Sequence, residues 1–222
     1  MSNFAEARRL VTERELDSEN IPKAYKILNE IIAKSQTSDV YGLLSEMKYL
    51  EGEWMNSSDK VKTFSEGVEY AKKGIELDPN HLESHFWLSV NYGLLGEAQG
   101  MMNSFLLLDP IEKHVKKAME INEGYFYGAP LRVIGYFYHK IPGWPISRGD
   151  NKKAKAYLLK ALEYGPDFYL NHLYISKVYK SLGDKKNARF HLEWILGAEL
   201  TRKFQKENSR IKKEAQELLS KI

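Results

Sequence analysis

The sequence predicts an all-α, right-handed solenoid of about five antiparallel helix pairs closed by a C-terminal capping helix. Three observations carry this prediction. Apolar residues recur with a 3.6-residue period almost throughout, and alternating, strand-like stretches are hard to find. Four of the seven prolines, Pro22, Pro79, Pro110 and Pro166, fall where helices should start or stop. Small residues recur at positions that let neighbouring helices approach closely. The stretch from Gly149 to Pro166 shows all three: Gly149 and Asp150 open a helix, Ala154, Leu158 and Ala161 line one face, and Pro166 closes it.

That stretch is similar to the second helix of a tetratricopeptide (TPR) unit, whose period is about 34 residues. The chain reads as one TPR-like domain over 1–222, with repeats at 4–36, 37–80, 81–124, 125–166 and 167–200 and the cap at 201–222. In the first repeat, Phe4 to Glu15 is the first helix, and Pro22 opens a second that turns Ala24, Leu28 and Ile31 inward. Tyr41, Leu44 and Ser45 begin the second repeat, and its partner helix carries Gly67, Ala71 and Gly74 up to Asp78-Pro79. The third pairs His85, Leu88, Ser89 and Tyr92 with Ile111, Val115 and Ala118. The fourth pairs Leu131, Ile134, Gly135 and Tyr138 with the Gly149–Pro166 helix. The fifth runs from Tyr169 to Leu182, turns at Gly183-Asp184, and returns through Ala188, Leu192 and Ile195. In the cap, Phe204, Ile211, Ala215, Leu218 and Ile222 form an apolar stripe suited to sealing the end of a repeat array.

Three repeats carry extra residues between their helices, at Glu53 to Phe64, Glu97 to Asp109, and Lys140 to Arg148. Long connections inside compact folds commonly carry function. In a stacked array all three should emerge on one edge. Met101 to Leu108 is apolar enough to require cover, either from the helix ends or from a partner surface, self-association included.

Composition narrows the class. Hydrophobic residues are 43% and charged residues 28% of 222, as for a folded chain with a sizeable core. No cysteine is present, so disulfides, thiolate metal ligands and cysteine nucleophiles are excluded. No apolar run approaches a membrane span. The net charge of +3 is uneven: from Lys185 to Ile222 ten lysines and arginines stand against five glutamates, leaving that tail at +5 and the remainder at −2. Such a balance reads as a solvated helical face rather than a nucleic-acid site. A native start at Met1 implies a cytoplasmic protein, and a removed signal or lipobox segment a periplasmic one.

Several stretches go beyond a generic TPR unit. They are Gly128-Ala-Pro-Leu-Arg-Val-Ile-Gly135, the Pro142-Gly-Trp-Pro145 turn, Ala71 to Pro79 leading into His85-Phe-Trp-Leu-Ser-Val-Asn-Tyr-Gly93, and Glu214-Ala-Gln-Glu-Leu-Leu219. Their order, from about Tyr41 onward, resembles the T-component family associated with tripartite ATP-independent periplasmic (TRAP) transporters. That resemblance implies a TPR-like helical protein that binds the transporter's periplasmic substrate-binding component, together with a small apolar or amphipathic acid. The chain departs from the family in lacking a lipobox cysteine. Through the same His-Phe-Trp stretch the chain is also similar, more weakly, to TPR-like regulators of microtubule dynamics.

The residues themselves point to binding rather than catalysis. No phosphate loop, nucleophile elbow or acid/base carboxylate pair appears, and no catalytic residue, cofactor or metal set is assigned. His81 and His85 have metal-ligand spacing but lack a third ligand, and His85 and His172 occupy positions that TPR units fill with large packing residues. The concave face should instead present Arg132, Tyr136, His139 and Lys140 from the fourth repeat and Leu173, Lys177 and Lys180 from the fifth. Tyr49, Phe86 and Val90 should extend that face as an apolar surface. Cations with an aromatic among them suit a carboxylate or an acidic peptide. The aromatic-rich stretch near residue 130 adds Tyr127, Trp144 and Arg148, with Tyr127 and Trp144 as the expected ligand-facing pair. The competing function is therefore a TPR adaptor gripping an acidic or extended peptide of a partner protein.

Overall fold

The computed structural model describes residues 3–54 and 59–222. Among these residues it contains twelve α-helices: α1 (Asn3–Thr12), α2 (Asn20–Ile32), α3 (Ser38–Trp54), α4 (Lys60–Leu77), α5 (Leu82–Gln99), α6 (Met101–Leu106), α7 (Leu108–Asn122), α8 (Tyr125–Lys140), α9 (Asn151–Tyr164), α10 (Tyr169–Ser181), α11 (Lys185–Gly197) and α12 (Gln205–Leu219). They pair as expected: α1 with α2, α3 with α4, α5 with α7, α8 with α9, and α10 with α11. The chain forms two compact units, residues 1–122 and 123–222.

In the first unit the apolar faces of α1, α2 and α3 meet around Ala7, Leu10, Leu28, Leu43, Leu44 and Met47, all but inaccessible to solvent. A second cluster joins Phe64, Val68 and Ala71 of α4 to Leu88 and Leu95 of α5. A polar tie fixes the register of these helices. Ser45 Oγ donates to the Gly67 carbonyl at 2.8 Å, and Asn91 Nδ2 donates to the carbonyls of Ser45 and Trp87 at 3.1 and 3.0 Å. Gly67 must be a glycine here, because a Cβ would lie 2.6 Å from the Asn91 carboxamide.

Two of the three expected insertions are shorter than the sequence implies, and the third remains a connection over residues 141–150. The first is largely absorbed by longer helices, since α3 runs on to Trp54 and α4 starts at Lys60; its positions 55–58 lie outside the described residues. The second folds into α6, on which Phe105 and Leu106 remain exposed at 38% and 77%; the side chains of Met101 and Met102 lie outside the described set.

In the second unit, Asp150 caps α9 by accepting from the amides of Lys152 and Lys153 at 2.8 and 3.1 Å. Ala154, Leu158 and Ala161 then lie fully buried against α8. α8 opens with a left-handed turn, in which Phe126, Tyr127 and Gly128 have φ of 42°, 61° and 75°. At Gly128 a Cβ would meet the Ala161 backbone at 3.0 Å in addition to straining the positive φ.

α12 closes this unit as the expected cap. Ile211 and Ala215 pack on Leu173, Leu192 and Ile195. Lys212 Nζ donates to the carbonyls of Leu196 and Ala198, serving the otherwise open end of α11.

Candidate functional site

In the second unit, three of the predicted concave-face residues come together around one that was not predicted. The rings of Tyr136 on α8 and Tyr174 on α10 stack with centroids 4.0 Å apart and planes 12° apart. Lys177 Nζ lies 5.4 Å from each ring centroid, and Lys140 Nζ lies 5.8 Å from that of Tyr136. These ammonium groups are within cation–π range. Lys177 also pairs with Glu214 of α12 at 2.7 Å, and Lys180 follows Lys177 on α10, half-buried. Tyr174 lies three residues before Lys177, as Tyr136 lies four before Lys140, so a test for aromatic–cation spacing on one helix face finds both pairs in the sequence.

His139 lies at the edge of this platform, its ring tilted against Tyr136 with centroids 5.9 Å apart, and its Nδ1–H donates to Asn151 Oδ1 at 2.7 Å, at the start of α9. Arg148, in the α8–α9 connection, lies 5.9 Å over the ring of Phe137.

Arg132 is not a surface cation. It is 5% exposed; its guanidinium donates to Asn171 Oδ1 at 2.9 Å and to the Tyr127 carbonyl at 3.3 Å, and it stacks 4.6 Å over Phe168. The Tyr127 carbonyl lies in the left-handed turn, and Arg132 and Asn171 both donate to it, which ties Arg132 to the interior. Leu173 is likewise a core residue, 2% exposed and part of the cluster under α12.

Phe86 in the first unit is also core, 3% exposed and edge-on to Trp87 at 4.8 Å. Tyr49 packs half-buried against the same indole at 5.1 Å, and Val90 is half-buried on α5. Phe86 and Val90 lie on α5 and Tyr49 reaches Trp87 from α3, and packing takes most of this surface out of solvent.

Tyr127 and Trp144 do not form a pair. Tyr127 stacks on Phe168 at 4.8 Å where α8 begins, and Trp144 lies beyond the end of α8, 89% exposed. The regular part of α8 from Ala129 to Lys140 spans roughly 18 Å at 1.5 Å per residue, which separates them.

The histidines form a repeated device. His85 Nε2 lies 3.0 Å from the Pro79 carbonyl, and His85 Nδ1 lies 2.9 Å from His114 Nδ1 on α7. In the second unit His172 Nε2 lies 2.7 Å from the Pro166 carbonyl, and His172 Nδ1 lies 3.0 Å from His191 Nδ1 on α11. A carbonyl only accepts, so Nε2 carries the proton in His85 and His172. Their neutral Nδ1 atoms then accept from the Nδ1–H of His114 and His191. Burial pulls all four rings below the usual histidine range, His114 and His191 down to about 4; the neighbouring histidine adds to this in those two. The pairs are neutral clasps between the two helices of a repeat. His81, four residues from His85, instead caps α5 by accepting from the Ser84 amide at 3.2 Å, and its Nε2 meets Asp39 Oδ1 at 3.1 Å. The two rings thus serve separate partners, and among the described residues no cluster of three or more metal-ligating side chains occurs.

Comparison with known proteins agrees with this architecture. A thermophilic TPR protein from Thermus thermophilus superposes with a TM-score of 0.68 over 99% of this chain and 98% of its own, at 16% identity. MamA gives 0.52 over 91% and 97%, also at 16% identity. The fold class is therefore the all-α, TPR-like solenoid.

Relatives with the name regulator of microtubule dynamics protein 1 include the bovine protein, 24% identical over 91% of this chain, and the human protein, 27% identical over 74%. The matches span 67% of the bovine and 55% of the human protein. The resemblance to the TRAP T component gains no support here, and with it the substrate-binding component and the small ligand lose theirs. The family model for regulator of microtubule dynamics protein 1-3 matches residues 3–141 and 146–222, and the chain belongs to that family.

Proposed function

We propose that the chain is a non-enzymatic protein-interaction scaffold whose Tyr136–Tyr174–Lys177 face binds an acidic or extended segment of a partner protein. The observation that carries this reading is the stacked tyrosine pair with ammonium groups of Lys177 and Lys140 at its rings. A flat aromatic platform supplies contact area at low side-chain entropy cost, and the lysines supply charge for a partner carboxylate. Lys177 is already paired with Glu214, so an incoming carboxylate acts by exchange. Exchange of this kind favours moderate affinity and strong salt dependence. The relatives are named for regulating microtubule dynamics, and we carry that setting to this chain as the one in which it meets its partner.

Fluorescence anisotropy with a labelled, glutamate-rich peptide tests the face directly, and co-sedimentation with assembled microtubules tests the setting. Tyr174→Ala and Lys177→Ala should each weaken peptide binding by about fivefold to tenfold. Wild-type protein that ignores the peptide, or variants that bind it as well as wild type, would remove this face from consideration.

A further inference from the structure

The connection from α8 to α9 presents two large apolar side chains to water. Trp144 is 89% and Ile146 73% exposed, and Pro145 between them is exposed too. A loose loop does not account for this. The Gly149 amide donates to the Pro142 carbonyl at 2.8 Å, the amides of Ile146 and Ser147 donate to the Gly143 carbonyl at 3.1 Å, and the Asp150 amide donates to the Tyr138 carbonyl at 3.0 Å. The base of the loop is closed and its interior is hydrogen-bonded, so the tip is held out from the surface.

The segment that carries the tip is rich in positive charge. From His139 to Lys155 the chain carries Lys140, Arg148, Lys152, Lys153 and Lys155 against Asp150 as the one carboxylate. Lys140 ends α8, Lys152 and Lys153 lie in the first turn of α9, and all three are exposed. Lysines in a first turn face the positive end of the helix dipole, and here the Asp150 carboxylate at the N-cap offsets only part of that charge. The match to the family model breaks between residues 141 and 146, at this tip.

We propose that the Trp144–Ile146 tip is a membrane-docking element that inserts into the interfacial layer of an anionic lipid bilayer while Lys140, Arg148 and Lys152 engage its headgroups. A protruding apolar tip needs a deformable apolar phase and no matching cavity, which a bilayer offers and a folded protein surface rarely does. Tryptophan belongs at the membrane–water boundary, and lysines at the base of an inserted side chain meet the phosphate layer. This contact is peripheral: among the described residues no helix is long and apolar enough to cross a membrane.

The test is co-flotation of the full chain with phosphatidylcholine vesicles, with and without phosphatidylserine, together with tryptophan emission. The expected result is flotation with the phosphatidylserine vesicles alone, weakened by high salt, with a blue shift of the emission. Trp144→Ala and, independently, Ile146→Ser should each reduce flotation by about tenfold, and Lys152→Glu by several-fold. Trp144→Ala should also abolish the blue shift. Circular dichroism should be unchanged, since these side chains lie outside the core. Absence of binding to anionic vesicles overturns the proposal, as does equal binding by the Trp144 and Ile146 variants. Retention of a protein partner that depends on Trp144, without any vesicle binding, would assign the tip to a pocket in that protein and overturn it equally.

Discussion

Asn171 is fully buried, and its carboxamide makes contacts that no apolar side chain of similar size can replace. Its Nδ2 lies within 2.9 to 3.1 Å of the carbonyls of Tyr127, Ala161 and Gly165, and its Oδ1 accepts from Arg132. Replacing it by leucine leaves those carbonyls under-satisfied and strips a buried guanidinium of one acceptor. Asn171→Leu should therefore destabilise the chain by about 3 kcal/mol, read as a lower denaturant midpoint. A loss below about 1 kcal/mol would mean that Arg132 and the turn find other partners. Little of this was legible in the sequence. The TPR register placed Arg132 on the binding face, and nothing in the residue string announces that a carbonyl at Tyr127 will draw it inward. Periodicity alone put Lys177 in the same expectation, and its ammonium lies over the tyrosine rings and pairs with Glu214.

At the scale of elements, sequence and structure agree wherever a local rule decides. Ala154, Leu158 and Ala161 are buried as their spacing demands, and Asp150 caps α9. Agreement fails where backbone conformation departs from the menu. The left-handed start of α8 uses two non-glycine aromatics, Phe126 and Tyr127, and each such residue costs roughly 1–2 kcal/mol. Stacking of Tyr127 on Phe168 and the edge-on contacts of Phe126 with Phe168 and Phe204 offset part of that cost. Gly128 completes the turn at φ 75°, so Gly128→Ala adds positive-φ strain and a 3.0 Å contact with the Ala161 backbone. The expected loss is about 2 kcal/mol, with the helical circular dichroism of the folded state preserved. Thermal melts would detect it, and an unchanged midpoint would show that the turn can relax into a right-handed opening.

Across the whole molecule the two histidine clasps make stability depend on pH, and each unit has its own balance. His191 titrates at about 4 in the folded chain against about 6.5 for an ordinary histidine, so the unfolded chain binds more protons between those values. Stability from this clasp is fully present above pH 6.5 and is lost as pH falls toward 4. After allowance for the solvent around the ring, the loss is about 1–2 kcal/mol. His114 behaves in the same way in the first unit, where Lys113, Lys117 and Glu120 surround the pair. That unit also holds Glu46, whose carboxyl is pushed up to about 7 by burial against the pull of Arg8. A raised carboxyl works in the opposite sense: the folded chain binds the extra proton between about 4.5 and 7, so Glu46 gains stability as the pH falls through the window in which His114 loses it. Acidification from pH 7 to pH 5 should therefore weaken residues 123–222 more than residues 1–122. Hydrogen exchange, corrected for its intrinsic pH dependence, should show greater loss of protection in α11 than in α7. His191→Asn should flatten the response of α11, and Glu46→Gln should steepen that of α7. Equal loss in both helices, unmoved by either substitution, would show that groups other than the clasps and Glu46 govern the acid response.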